Sequence, residues 1–482
     1  MARKSAPPAN ISEAWAPEPP AGDVWTARPW VLPSARIDEG RAARKRVPRA
    51  SHAAFEPRPG RDPIAILDQQ EQDRLPDLVP LRHARMAESP FTYYRGTPAV
   101  MAFDLAVTPR TDIIVQASGD AHLSNFGLFG SPERTLVFDA NDFDETLPAP
   151  WEWDVKRLAA SIVIAGRANG FRAAQNRAAT MATAAMYRQW MASYAGMRLL
   201  DVWYSHITET DIRAAAEPFL ARARDTGARR ARLDNLFVKA RGKDAIKAAG
   251  SLTAIVGGKR EFIIDPPVVQ RMEIPGGPDV MRQVFEDYRA TMAESRREFL
   301  ERYRFADFAL KVVGVGSVGT RCLMLVLEGR DHDDPLILQA KEATASVLED
   351  FAGGSGHANH GERVVVGQRL MQATPDIFLG WTRGPGGRDF YLRQLWDMKG
   401  SVDTAALQPE GLGFYGGICA WALARAHART GDSVAISAYL GSGDVFDSAV
   451  ADFAEAYADQ NERDHAAYVA AIKSGRVSTT AV

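Results

Sequence analysis

The chain has 482 residues, of which 46% are hydrophobic and 24% charged, and its formal net charge is −2. That composition suits a soluble globular protein large enough for two lobes or domains, and a balance so near neutrality gives no sign of a nucleic-acid or membrane partner. With no apolar run of about 18 residues and no apolar leader core at the N-terminus, neither a transmembrane helix nor a secretory signal is expected.

Residues 1–60 carry 10 of the 28 prolines, many Arg and Ala, and no sustained periodicity, which predicts a flexible tail. Its cluster Arg44-Lys45-Arg46 reads as a solvated charge run, and Trp15, Trp25 and Trp30 are candidates to pack back on the body. From Asp62 to Met86 the apolar residues Ile64, Leu67, Leu75, Leu78 and Leu81 recur at helical spacing, interrupted by Pro76 and Pro80. Arg82, Arg85 and Arg95 flank residues 89–94 and have two readings, phosphate-binding cations or structural ion pairs.

Two acidic loops follow, each at the end of a strand-like run. Residues 113–115 lead into Ser118-Gly119-Asp120-Ala121-His122-Leu123-Ser124-Asn125, and residues 136–138 lead into Asp139-Ala140-Asn141-Asp142-Phe143-Asp144-Glu145. Loops held by rigid strands are where catalytic residues tend to be placed. An Asp followed five residues later by an Asn, with a carboxylate ending the next strand, suits phosphoryl transfer, where one acid accepts the substrate proton while Asn and the second acid hold magnesium. The duller reading gives Asp120 a turn-capping role and Asn125 an Asx hydrogen bond. His122 is better placed to brace the loop than to act as base, since Asp120 already supplies one.

Trp151-Glu152-Trp153-Asp154 opens a helix through Val155, Leu158, Ile162 and Val163, with Asp154 a first-turn acid favoured by the helix dipole. Residues 171–305 read as mostly helical, with a short extended interruption at 261–267 and no assignable chemistry. A second constellation begins at the strand-like run 308–313. Gly314, Gly316 and Gly319 then form G-x-G-x-x-G, with Ser317 inside it. A dinucleotide-binding turn would open into a helix. Here residues 321–327 are β-like instead, and a polar turn at 329–335 leads to a third strand ending at Lys341. Glycines in such a hairpin let backbone amides approach phosphates, and Lys341 can neutralise them. Residues 341–350 and 363–371 read as helical. Cys322 and Cys419 lie in apolar contexts without metal-ligand spacing, as expected of reduced core thiols in a cytoplasmic protein. Residues 414–430 form a helix ending Leu423-Ala424-Arg425-Ala426-His427, and a last helix runs through Phe446, Val450, Phe453 and Tyr457.

Gly119-Asp120-x-His122-x-x-Asn125 resembles the catalytic loop of aminoglycoside phosphotransferases and choline kinases, relatives of the protein kinases. The segments Ser89-Pro90-Phe91, Tyr94-Arg95-Gly96, Asn141-Asp142-Phe143-Asp144-Glu145 and the glycine run 312–319 are similar to those of the bacterial domain-of-unknown-function family 2252, over roughly residues 60–470. The kinase resemblance implies Asp120 as base, Asn125 and Asp139 as Mg²⁺ ligands, and Asp142 or Asp144 for a second ion or the substrate. It also implies that Asp154 braces the catalytic loop, that Lys341 pairs with Glu349 or Glu362, and that residues 389–395 enter the hinge where adenine binds. A helix ending Leu-Ala-x-x-His precedes the catalytic loop in those enzymes but follows it here, so the order is circularly permuted.

The expected fold is α+β, two-lobed, protein-kinase-like and permuted. Its parts are a tail (1–60), a large lobe (61–305), a small nucleotide-binding lobe (306–400) and helices returning to the large lobe (401–482). The expected activity is ATP- and Mg²⁺-dependent phosphoryl transfer to a hydroxyl of a small molecule or protein. The alternatives are a nucleotide-binding regulatory pseudokinase and AMP transfer on the same fold. A third reading, a metal-dependent hydrolase built on the acidic loops and His122, leaves the glycine hairpin and Lys341 without a role.

Overall fold

A computed structural model describes residues 31–221, 225–273, 277–395 and 397–480. The fold is a mixed α+β arrangement with two main hydrophobic cores. The helical core surrounds the helix Trp151–Ala168, whose residues from Trp151 to Gly166 are all buried. A helix buried on every face belongs inside a domain, and the charges in its first two turns must find partners there. Around it pack the helices Ala173–Ala195, Pro409–Thr430 and Val445–Lys473. Two short antiparallel strand pairs sit at one end of this core: Ile114–Ala117 with Leu147–Pro150, and Phe126–Gly130 with Leu136–Ala140.

The second core lies under a six-stranded antiparallel sheet, in the order Gly380–Arg383, Asp389–Gln394, Pro335–Ala343, Cys322–Glu328, Arg304–Lys311, Val269–Gln270. The three expected strands around the glycine run are consecutive neighbours, with Lys341 opposite Cys322 on one side and Tyr391 on the other. The helix His360–Met371 packs between the sheet and the helix Pro409–Thr430. The helical run expected over 341–350 is instead the end of a strand, a turn, and the short helix Glu349–Ala352.

The described residues between 245 and 300, expected in the helical part, pack on the sheet. Ala248, Ala249 and Phe262 are buried with Met324, Val326 and Ile337, and Tyr288 Oη donates to the Phe378 carbonyl at 2.6 Å. The expected extended interruption at 261–267 contains the end of a hairpin between Thr253–Val256 and Lys259–Phe262.

The tail expectation is corrected for residues 31–60. Pro33–Arg46 forms a helix against Ser433–Leu440, and Arg49–Ala53 forms a 3-10 turn. The contact is made by small residues: Gly40 and Ala43 are buried, and a Cβ on Gly40 would stand 2.2 Å from the Ala435 carbonyl oxygen. Arg44 of the basic cluster donates from Nε to the Tyr439 carbonyl at 2.8 Å, so this cation caps a neighbouring helix end rather than only meeting water. Trp15, Trp25 and Trp30 lie outside the described residues. Cys322 and Cys419 are free and buried. No helix among the described residues is long and apolar enough to cross a membrane.

The close crossing at Gly40 is open to test. Gly40→Val forces the two helices apart and is expected to cost about 1–3 kcal/mol, the usual range for overpacking. Thermal denaturation should show a lowered Tm for Gly40→Val and an unchanged one for Gly443→Ala, where a Cβ meets open space.

Candidate functional site

The strand Ile114–Ala117 ends in the loop that carries Asp120. Gly119 holds φ +78° in that loop, and a Cβ there would meet the Glu145 carbonyl oxygen at 2.4 Å, so both conformation and space demand glycine. The turn is fixed from below by the buried helix. Asp154 Oδ2 accepts from the Ser118 amide at 2.7 Å, and Oδ1 accepts from the Gly119 amide at 3.0 Å. His427 Nε2 lies 3.1 Å from the same carboxylate, and its Nδ1 lies 2.8 Å from Tyr187 Oη. The brace expected of Asp154 is therefore made, and the Leu-Ala-x-x-His helix reaches it.

Asp120 is held on one side by Arg157, whose Nε donates to Oδ1 at 2.6 Å. On the other side Asn125 Nδ2 donates to the Asp120 carbonyl at 2.8 Å and to Oδ2 at 3.2 Å. Burial lifts the Asp120 carboxyl to about 6 against the pull of Arg157, which suits a base that is ionised at neutral pH and still attracts protons. His122 Nδ1 accepts from the Ser124 amide at 3.1 Å, which leaves the ring proton on Nε2, 3.6 Å from Asp120 Oδ2. Burial and the nearby Arg157 and Arg95 charges push its pKa well below the ordinary histidine value. The imidazole is thus neutral, bonded to its own loop through Nδ1 and facing Asp120 through Nε2.

The second acidic loop departs from expectation in one residue. Asp139 does not reach the site: its Oδ2 accepts from Arg425 Nη2 at 2.5 Å and its Oδ1 from the Ala140 amide at 2.9 Å, within the interior. Asp139 belongs to the strand Leu136–Ala140, every residue of which is buried, and the chain becomes accessible only past Ala140. The accessible carboxylates are Asp142 and Asp144, and these two meet Lys341, with Nζ 3.5 Å from Asp142 Oδ1 and donating to Asp144 Oδ2 at 2.5 Å. Tyr391 Oη donates to Asp144 Oδ1 at 2.7 Å. Burial would lower the Lys341 pKa, but the Asp142 and Asp144 charges drive it well above the ordinary lysine value.

Neither expected glutamate pairs with Lys341. Glu349 Oε1 accepts from the Ser346 amide at 3.1 Å and lies 3.7 Å from Arg363 Nε, while Glu362 lies 3.7 Å from His357. The sequence position opposite the lysine is taken by the acidic loop instead.

The glycine run forms the opposing wall. Gly314 and Gly319 hold φ +64° and +90°, conformations that favour glycine. The run is tied to the segment 74–85 that precedes the Asp120 loop: Arg85 Nη1 donates to the Gly314 carbonyl at 2.7 Å, Arg74 Nη1 to the Val318 carbonyl at 2.5 Å, and the Leu75 amide to the Gly319 carbonyl at 2.7 Å. One cavity of about 580 Å³ is lined by Asp120, His122, Asn125, Asp142 and Asp144 on one side and by Gly314, Gly316 and Ser317 on the other. Glu349 lines it as well; Asp139, Gly319 and Lys341 do not. A second cavity of about 220 Å³ lies where Asp389–Gln394 leaves the sheet, between Leu128, Gln339, Arg393 and Leu395.

A family model covers residues 74–471, and its family is described as an uncharacterized protein conserved in bacteria. The chain belongs to the DUF2252 family. No curated protein and no solved structure matches it. Tyr94-Arg95-Gly96 and Asn141-Asp142-Phe143-Asp144-Glu145, two of the segments that resemble DUF2252, both contribute to the larger cavity through Arg95, Asp142, Asp144 and Glu145.

Several site residues escaped the sequence reading. Glu145 lines the cavity, accepts from the Val347 amide at 2.8 Å, and is pushed up to about 7 by burial. Arg363 ties the second acidic loop to the sheet, donating from Nη1 to the Thr146 carbonyl and from Nη2 to the Asp144 and Thr344 carbonyls at 2.7–2.8 Å. Arg157 had a readable signal, since it follows Asp154 at a spacing that puts both on one helix face.

Removing the brace tests the architecture. Asp154→Ala leaves two buried amides without an acceptor, at about 1–3 kcal/mol each. The variant should melt earlier and exchange amide hydrogens faster at residues 118 and 119. Parental exchange there would show that Asp154 does not hold the loop.

Proposed function

We propose that the protein is an ATP- and Mg²⁺-dependent phosphotransferase acting on a hydroxyl group, built on a circularly permuted protein-kinase-like fold. The observation that carries this reading is the shared cavity, in which a loop bearing Asp120 and Asn125 faces a glycine run from a distant part of the sequence. Support for the permutation comes from the end of the Pro409–Thr430 helix. There the Gln116 amide, in the strand that enters the Asp120 loop, donates to Thr430 Oγ1 at 3.1 Å.

The donor set fits magnesium. Asn125, Asp142 and Asp144 offer oxygen ligands at the cavity, the kind a hard cation takes. Among the described residues no group of three or more His, Cys, Asp or Glu side chains is arranged as a metal site. A dedicated cage is not required, because Mg²⁺ usually takes one or two carboxylates and completes its shell with water and substrate phosphates. Bound there, Mg²⁺·ATP would supply the transferable phosphoryl group and the charge neutralisation it needs. The amides of residues 314–319 would hold the phosphates, and Lys341 would supply a fixed positive charge. The smaller cavity beside Leu395 is where this reading puts the adenine. Asp120 orients the acceptor hydroxyl and takes its proton, while Arg157 and Asn125 keep its carboxylate aimed.

Four measurements test the reading. Mg²⁺·ATP should raise the parental Tm, because a ligand that binds only the native state must stabilise it. Lys341→Ala should lose most of that shift. Asp120→Asn should keep the shift but lower turnover by about 10²–10⁴, the usual worth of a positioned base. Because the base must be unprotonated, the parental rate should fall as pH drops through about 6. Products sort the alternatives: ADP indicates phosphoryl transfer, pyrophosphate indicates AMP transfer, and binding without product indicates a regulatory pseudokinase. Absence of any nucleotide-induced shift in the parent would sink the proposal.

A further inference from the structure

The charged groups lining the large cavity are almost all engaged. Asp120 has Arg157, Asp144 has Lys341 and Tyr391, and Glu145 has the Val347 amide. Glu342 has Arg321 and Arg388. Arg95 is different. It lines the same cavity, yet its Nε is closed off from solvent with no hydrogen-bond acceptor among the described residues. Asp120, Glu88 and Asp142 act on its guanidinium only through their field, and burial lowers its pKa.

A guanidinium stays charged in a protein and presents paired N–H donors that match a phosphate. Leaving one half-buried and unpaired is unfavourable unless something else completes it. The local backbone points the same way. A Cβ on Gly316 would stand 3.2 Å from the Arg95 carbonyl oxygen, so the glycine run passes directly over this residue. Arg74 flanks the run at its other end. Its Nη1 is on the Val318 carbonyl, its Nε has no acceptor, and it too lines the cavity. Arg82 and Arg85, by contrast, are committed: Arg82 to Glu71 and the Gly96 carbonyl, Arg85 to the Gly314 carbonyl. Of the three arginines around residues 89–94, the two readings thus separate, and only Arg95 is left for a ligand.

We infer that Arg95, flanked by Arg74, forms a binding subsite for a phosphate group between the glycine run and the Asp120 loop. The inference deepens the phosphotransferase reading and rests on it for the origin of the phosphate. That origin is either the terminal phosphate of the nucleotide or a phosphate carried by the acceptor. In both cases the guanidinium balances negative charge close to the Asp120 carboxylate, where an anion would otherwise be repelled.

The test is calorimetric titration of the full chain and of Arg95→Ala with Mg²⁺·ADP, Mg²⁺·ATP and inorganic phosphate, the last with and without saturating Mg²⁺·ATP. If the subsite takes the nucleotide's terminal phosphate, Arg95→Ala should lose roughly tenfold in ATP affinity with ADP affinity unchanged, a difference of about 1.4 kcal/mol. If it takes an acceptor's phosphate, inorganic phosphate should bind the ATP-saturated parent and not the variant. Arg95→Lys, which keeps the charge but not the paired donors, should fall between, and serves alone if Arg95→Ala does not fold. A folded variant that matches the parent for all three ligands overturns the subsite and leaves the phosphotransferase reading standing. Arg95-dependent phosphate binding in a parent that ignores nucleotides does the reverse. A parent that binds neither overturns both.

Discussion

The structure depends on charges buried in one helix. Trp151–Ala168 has solvent on almost no face, yet its first two turns contain Glu152, Asp154, Lys156 and Arg157. A buried charge is tolerated only where partners complete it, and here most partners belong to residues 108–120, the chain leading into and including the start of the Asp120 loop. Glu152 accepts from the Thr111 amide, Lys156 donates to Thr108 Oγ1, Asp154 takes the Ser118 and Gly119 amides, and Arg157 takes Asp120. The helix cannot be buried unless residues 108–120 run where they do, and the loop cannot keep its turn without the helix. Removing either side strands an unpaired charge in the core, so the site's geometry and the stability of the core are the same constraint.

Opposite this rigid element, the glycine run has little scaffolding of its own. Its strands are ordinary hairpins, but the run itself is held by Arg74, Arg85 and the Leu75 amide from the segment that precedes the Asp120 loop. The two walls of the cavity are thereby set by segments close in sequence to each other, although the walls themselves are not. Lys341, behind the cavity lining, joins an inner strand of the sheet to Asp142 and Asp144.

What the sequence made legible is local. The Asp120–Asn125 spacing, the glycine hairpin and Asp154 in a first helical turn are short-range patterns whose geometry follows from a few neighbouring residues. What it hid depends on partners far along the chain. Asp139 and Asp142 look equivalent as letters, and only Arg425, 286 residues away, draws the first into the core. The kinase resemblance puts the partner of Lys341 on a following helix, whereas the acidic loop reaches it first. The helix Pro33–Arg46 escaped notice because its buried face is Gly40 and Ala43. Small residues that permit close approach carry no hydrophobic periodicity.

The order of parts also bears on how the chain is made. Asp154 is translated 273 residues before His427, and Asp144 is translated 197 residues before Lys341. At bacterial elongation rates of about 5–20 residues per second the first interval lasts roughly 14–55 s. For that time Asp154 waits for its imidazole, and for roughly 10–39 s Asp144 waits for its cation. Contacts of such long sequence separation are also slow to close even in a finished chain. The half-made protein therefore exposes a central helix whose charges are already matched by residues 108–120 but whose apolar surface still awaits the helices Pro409–Thr430 and Val445–Lys473.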